Sequence, residues 1–324
     1  MMRSAGPYFA CFVAGVALGA FGVSSYGPAG AAVGHSVREK RQYQFINPLL
    51  ACEFTESKDA RYQATDNQLR AYIKESLLSG RASQVALYTR SGIGSWTGVN
   101  ENEAFEPASL YKVPVLITYL KLAEADSGIL TEQVVFPLPV RSDRQNIQPR
   151  ERLTTGQTYS IEELLRRMIV YSDNDASLFL LSHIDQPNFD EVFSDLGLPP
   201  PSVTDVHKNV ITPKQYAFFI RILYNASYLS RVSSEKALQM LSETDFKEGL
   251  VAGVPSGTVV AHKFGEFIGS EGASPSLELH DCGIVYAPKH PYTVCIMTEG
   301  KNAADLEKVI ADISKIVYDG QKLL

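Results

Sequence analysis

Ser109 and Lys112 are the first pair in this chain whose types and spacing could do chemistry. They stand three apart in Glu106-Pro107-Ala108-Ser109-Leu110-Tyr111-Lys112-Val113-Pro114, which reads as the start of a buried helix. Residues three apart on a helix share a face, so the hydroxyl and the amine can meet. A serine hydroxyl is a weak nucleophile until a base takes its proton, and a lysine kept neutral by burial is one such base. Such a pair could attack a carbonyl carbon and hold the acyl group as an ester. Taken alone the spacing is common by chance, because a capping serine beside a solvated lysine has the same signature.

Composition narrows the field. The chain has 324 residues, of which 45% are hydrophobic and 20% charged, so it can bury a sizeable core in one large domain or two small ones plus a tail. The net charge is −6, and no basic run with interleaved aromatics occurs, which argues against a nucleic-acid partner. His35, His183, His207, His262, His280 and His290 show no ligand spacing, and no Cys-x-x-Cys occurs, so neither a metal nor a cofactor is indicated. Cys11 lies in an apolar N-terminal run. Cys282 and Cys295 flank a hairpin and could bridge neighbouring strands, with two buried thiols as the favoured reading.

Residues 8–23 form an unbroken run of apolar and small residues, preceded by Arg3 and followed by Ala29-Gly30-Ala31. The run fits a signal peptide and fits a retained membrane anchor almost as well, over residues 1–35, with retention slightly favoured. Either way the expectation is export to the periplasm or cell surface. Residues 36–60 read as a linker and 61–324 as the catalytic domain, expected to be a monomer.

The elements of that domain must position the pair. Thr65 to Gln68 is a capping box opening a helix with Leu69, Tyr72, Ile73 and Leu77 at helical spacing, and Gly80 stops it. Residues 85–90 and 95–100 form a hairpin, and residues 113–125 a buried helix. Residues 131–159 read as an irregular excursion. Ser160 to Glu163 is another capping box, opening a helix that delivers Tyr171-Ser172-Asp173-Asn174 to its end. Further helices are expected over 176–183, 189–196, 213–224 and 233–242, then strands over 258–267, 279–287 and 292–298 and a closing helix from 302. The plan is α+β: an antiparallel sheet of about five strands flanked by helices, from residues 61–105 and 250–324, and an all-helical part over about 106–249.

Two later stretches join the pair. Ser172-Asp173-Asn174 and Lys263-Phe264-Gly265 follow Ser109-x-x-Lys112 in the order S-x-x-K, S-D-N, K-[T/S]-G. With this set the chain resembles the penicillin-recognising serine hydrolases, and their class A β-lactamase branch most, over roughly residues 61–324. Flanking stretches such as Tyr-Ser-Asp-Asn-Asp-Ala, Ile-Thr-Pro-Lys and His-Asp-Cys-Gly-Ile-Val support it. The resemblance implies the β-lactamase/D,D-peptidase-like fold, and it implies roles. Ser109 would be acylated and Lys112 would take its proton. Ser172 would pass a proton to the leaving nitrogen, with Lys263 holding its hydroxyl in a positive field. Asn174 would bind Lys112 and the substrate amide. The N–H groups of Ser109 and Glu266, beside Gly265, would form the oxyanion hole. Asp173 would be structural.

The chain also departs from that pattern. Residues 196–212 contain no glutamate to prime a deacylating water, and Asp205 and His207 are the only candidates to replace it. Phe264 stands where a Thr or Ser hydroxyl usually helps bind the β-lactam carboxylate, and strand alternation can aim its ring elsewhere. The resulting expectation is a β-lactamase-type serine hydrolase with slow deacylation, acting on β-lactams or a related amide. The alternatives are a D,D-peptidase or transpeptidase acting on peptidoglycan-like peptides, and a non-catalytic membrane-tethered binding module.

Overall fold

The computed structural model describes residues 43–47, 63–92, 94–137, 147, 150–202, 209–269, 276–288 and 290–321. The apolar run over residues 8–23, most of the expected linker, Asp205 and His207 lie outside the described residues. Residues 45–324 make one compact unit. No helix of the described residues is long and apolar enough to cross a membrane.

Three strands late in the chain and a hairpin early in it close one antiparallel sheet. β1 (Gln84–Ser91) and β2 (Trp96–Val99) form the hairpin, and β5 (Val260–Ile268), β6 (Leu277–Val285) and β7 (Tyr292–Gly300) follow by short connections. The order is β2-β1-β7-β6-β5, so β5 is an edge. β1, β6 and β7 are buried nearly throughout because helices cover both faces. On one face lie α1 (Gln63–Leu78) and the closing helix α8 (Ala303–Gln321), whose Leu306, Val309, Ile310, Ile313 and Val317 recur along one helical side. The other face meets the helical part. There α2 (Lys112–Ala125) runs buried from Lys112 to Leu120, as its all-round apolar sequence requires. Around it stand α3 (Ile161–Val170), α4 (Asn174–Ser182), α5 (Gln186–Asp195), α6 (Pro213–Tyr224) and α7 (Arg231–Ser242).

Helix starts follow local chemistry. Thr212 and Gln215 form a reciprocal capping box with Pro213 in the first turn of α6. Ser160 accepts from Glu163 N at α3, and Ser230 from Ser233 N at α7. The expected capping box at Thr65 is not the start of α1, which begins at Gln63. Thr65 is instead buried against Gly320 of α8, where a larger residue would overlap its side chain. The expected irregular excursion has paired ends: β3 (Gln133–Val135) and β4 (Thr158–Ser160) make a two-stranded sheet. Within the expected linker, Phe45 and Ile46 are buried, and their N–H groups donate to the Glu235 carboxylate at 2.9–3.0 Å. Tyr286 Oη donates to Phe45 O at 2.9 Å, so this stretch is strapped to the domain.

Cys282 and Cys295 form a disulfide, which corrects the favoured reading of two buried thiols. The physical reason is register: β6 and β7 place the two directly opposite each other. Sequence spacing alone could not distinguish that pairing from a one-residue slip.

Gly253 shows how tightly α8 seats on the 3-10 turn Leu250–Gly253 that precedes β5. A Cβ there would overlap the Ala311 carbonyl and stand 2.6 Å from Ser314 Cβ. Gly253→Ala should therefore lower stability by about 1–3 kcal/mol, read as a fall in midpoint in thermal or urea unfolding.

Candidate active site

The segment that carries Ser109 is pinned on every side. Phe105 exchanges both backbone hydrogen bonds with Ile211, at 3.1 and 2.9 Å. Glu106 N–H donates to Glu278 Oε2 at 3.0 Å, and its carbonyl accepts from His280 Nε2 at 2.9 Å. His280 is fully buried and its Nδ1 accepts the Thr298 N–H at 3.3 Å, which leaves the ring proton on Nε2, where Glu106 needs it. Burial, reinforced by Glu278 and opposed by the Ala108 N–H, raises the Glu106 carboxyl to about 7. Ala108 then adopts φ +49°, a left-handed conformation costly for a residue with a Cβ and kept only where the surroundings impose it. Ser109 follows within a 3-10 turn, Ala108–Tyr111, which leads directly into α2. Tyr216 Oη donates to Leu110 O at 3.1 Å and closes the turn from α6.

Lys112 is the first residue of α2 and is buried. Its Nζ donates to Ser172 O at 2.6 Å and to Asn174 Oδ1 at 2.6 Å, and Ser172 Oγ lies 3.1 Å away. Burial lowers this amine from the ordinary lysine range to about 7, against the opposing pull of Asp173 and Asp175. Ser172 is fully buried at φ +53°, directly after α3. Asp173 caps α4, its Oδ1 accepting from Asp175 N and Ala176 N at 2.8 and 3.1 Å. The carboxylate thereby fixes the turn that aims Ser172 and Asn174, the structural part expected of it.

Edge strand β5 brings the third stretch. Gly265 is required by proximity, because a Cβ there would lie 2.9 Å from Pro107 O and 3.3 Å from Leu110 N. Lys263 is buried, and its Nζ donates to the Phe264 carbonyl at 2.9 Å and sits 4.0 Å from the Phe264 ring centroid. Burial and then the Lys112 charge hold this amine well below the lysine range, with Asp281 opposing them. The Phe264 ring is buried against Phe246, with centroids 4.6 Å apart, so alternation does carry it away from the cleft.

A cleft of about 540 Å³ opens at Ser109. Lys112, Asn174 and Glu266 line it with Ser109, and Glu266 Oε2 also accepts from Ile147 N at 3.4 Å. Ser172, Lys263 and Gly265 stand behind the lining rather than in it. Sequence reasoning missed several cleft residues, including Tyr111, Gln186 and Phe189. It also missed the clasp in which Asn209 accepts from Ser202 N at 2.6 Å and donates to Ser202 O at 2.9 Å. Glu278 and His280 were missed too. None of these carries a motif, and each is placed by tertiary packing alone. Among the described residues, no cluster of three or more His, Cys, Asp or Glu could hold a metal ion.

Comparison with known proteins agrees with this geometry. The model of the β-lactamase enzyme family matches residues 66–321. β-Lactamase CTX-M-8 of Citrobacter amalonaticus is 26% identical over 275 residues, 80% of this chain and 90% of that protein. β-Lactamase CTX-M-25 of Escherichia coli is 25% identical over the same length and shares. Among solved structures, PBP-A superposes with a TM-score of 0.66 at 21% identity, covering 83% of this chain and 100% of that one. A PBP-A mutant described as an acyl-enzyme with penicillin G gives 0.66 at 20%, covering 81% and 97%. The extended-spectrum β-lactamase TLA-1 gives 0.67 at 22%, covering 79% and 99%. The likeness to the solved structures shows the β-lactamase/D,D-peptidase-like fold.

A base with its lowered value near 7 is neutral above that pH and protonated below it. Acylation at Ser109 should therefore rise as pH increases through about 7 and then level, in stopped-flow or intact-mass time courses. Lys112→Ala should lower the plateau by roughly 10²–10⁴-fold.

Proposed function

The chain belongs to the β-lactamase enzyme family, and from that premise we propose an exported serine hydrolase that works through an acyl-enzyme at Ser109. Its substrates are β-lactams or a related amide, and its acyl group leaves slowly. The observation that carries this reading is the Lys112 amine, buried at the start of the helix that follows Ser109 and held by Ser172 and Asn174. With the amine neutral, two N–H groups serve the acceptors at 2.6 Å and a lone pair remains for the serine proton.

Ser109 Oγ bonds to the carbonyl carbon and its proton moves to Lys112 Nζ. The carbonyl oxygen becomes an oxyanion, met by the N–H groups of Ser109 and Glu266. The carbon–nitrogen bond then breaks. The proton passes from Lys112 through the Ser172 hydroxyl to the leaving nitrogen, and the acyl group stays as an ester on Ser109. Release needs an activated water. Residues 196–212 offer no glutamate for that task, which supports slow deacylation and keeps a D,D-peptidase-like role on peptidoglycan-type peptides as the second reading. Retention of the whole Ser109, Lys112, Ser172, Asn174 and Lys263 set speaks against a purely binding module.

Two features support export. One is the apolar run over residues 8–23. The other is the Cys282–Cys295 disulfide, a bond that persists in oxidising compartments.

Labelled penicillin incubated with the chain should give a lasting adduct on one site, lost in Ser109→Ala and mapped by peptide mass spectrometry. Rapid ring opening without an adduct would contradict slow deacylation. Neither adduct nor ring opening would remove β-lactams as substrates.

A further inference from the structure

The β5 edge differs from the rest of the site in one respect: it keeps the lysine and loses the hydroxyl. Phe264 offers no hydroxyl, and its ring is committed to the core beside Phe246. The Lys263 amine is committed as well. It is fully buried, donates to the Phe264 carbonyl at 2.9 Å, and lies 4.0 Å from the ring centroid. Among the described residues, β5 contributes only Glu266 and Phe267 to the cleft lining, a carboxylate and an aromatic ring. An anionic group arriving along this edge would meet a like charge and neither a hydroxyl donor nor a solvated ammonium. The acyl-transfer groups on α2 and at the start of α4 are nonetheless complete. The change therefore falls on recognition beside the scissile bond and not on the acylation chemistry.

We propose that the substrate carries no carboxylate at this position: it is an amide or ester whose leaving-group side is uncharged there, such as an internal peptide bond or a capped chain end. The proposal rests on the acyl-enzyme reading of Ser109 and narrows it. Specificity is a difference of affinities, and a β5 edge that offers a charge no partner among the described residues gives that charge no advantage there. Penicillins, which bear a carboxylate, are then reactive probes and poor mimics of the physiological substrate.

Intact-mass time courses of Ser109 acylation on the full chain, with benzylpenicillin and with its methyl ester, test this. The unmodified chain should react with the two at rates within about threefold, because removing the carboxylate removes nothing the site recognises. Phe267→Lys, which puts an ammonium on the part of β5 that lines the cleft, should raise the ratio of free-acid to ester rates by about tenfold or more, a gain worth roughly 1.4 kcal/mol. The variant's folding is checked by circular dichroism, and the comparison on the unmodified chain stands without it. A free acid that acylates the unmodified chain tenfold or more faster than the ester overturns the proposal and leaves the enzyme reading intact. Acylation by neither compound in either chain removes the acyl-enzyme reading, and the proposal with it.

Discussion

Burial of the Lys112 amine is the interaction on which the rest of this structure depends. An ammonium taken out of water is costly unless it is paired, and the usual outcome is loss of the proton. Here the amine is surrounded by oxygen acceptors from Ser172 and Asn174, while Asp173 and Asp175 act on it only through their charge. That balance lowers the amine to about 7 without forcing it far below. A base in this range suits proton transfer near neutral pH. The surrounding helices exist, in this sense, to keep water away from one nitrogen while leaving Ser109 at the mouth of the cleft.

The sheet supplies the second constraint, which is precision at Ser109. The φ of +49° at Ala108 is not a conformation alanine chooses, so its neighbours must hold it. Glu278 and His280 reach from β6 to the two backbone groups of Glu106, Tyr216 reaches from α6 to Leu110, and Gly265 lets β5 approach without a side chain between. These partners come from three separate elements, β6, α6 and β5. Ser109, the proposed nucleophile, is thus placed by the packing of sheet against helices, in line with the general need for catalytic groups to be fixed by the scaffold beneath them.

Much of this was legible in the sequence, and the reasons differ from residue to residue. Thr212-Pro213 announced a helix start because capping and a fixed proline φ are local chemistry. The five-stranded sheet was legible because strand periodicity and short connections leave few topologies. Ser109, Lys112, Ser172 and Asn174 were legible as an ordered set, and the structure brings Lys112, Ser172 and Asn174 into contact across some sixty residues of chain. The His280 clamp was not legible, because its partner at Glu106 is fixed by a hydrogen bond between segments 174 residues apart. The disulfide was not decided either: both cysteines are buried in strands whether or not they bridge, and only register joins them. Thr65 misled because a capping sequence also serves as a small side chain against Gly320.

The central claim concerns one proton. Nitrogen-15 NMR of the chain labelled at lysine, with Lys112 assigned by comparison with Lys112→Met, would follow the Nζ resonance directly as pH is raised. The account predicts that Lys112 titrates near 7, well below the ordinary range of a lysine side chain in water. A Lys112 resonance that titrates in that ordinary range would contradict it, and Ser109 would then need another base.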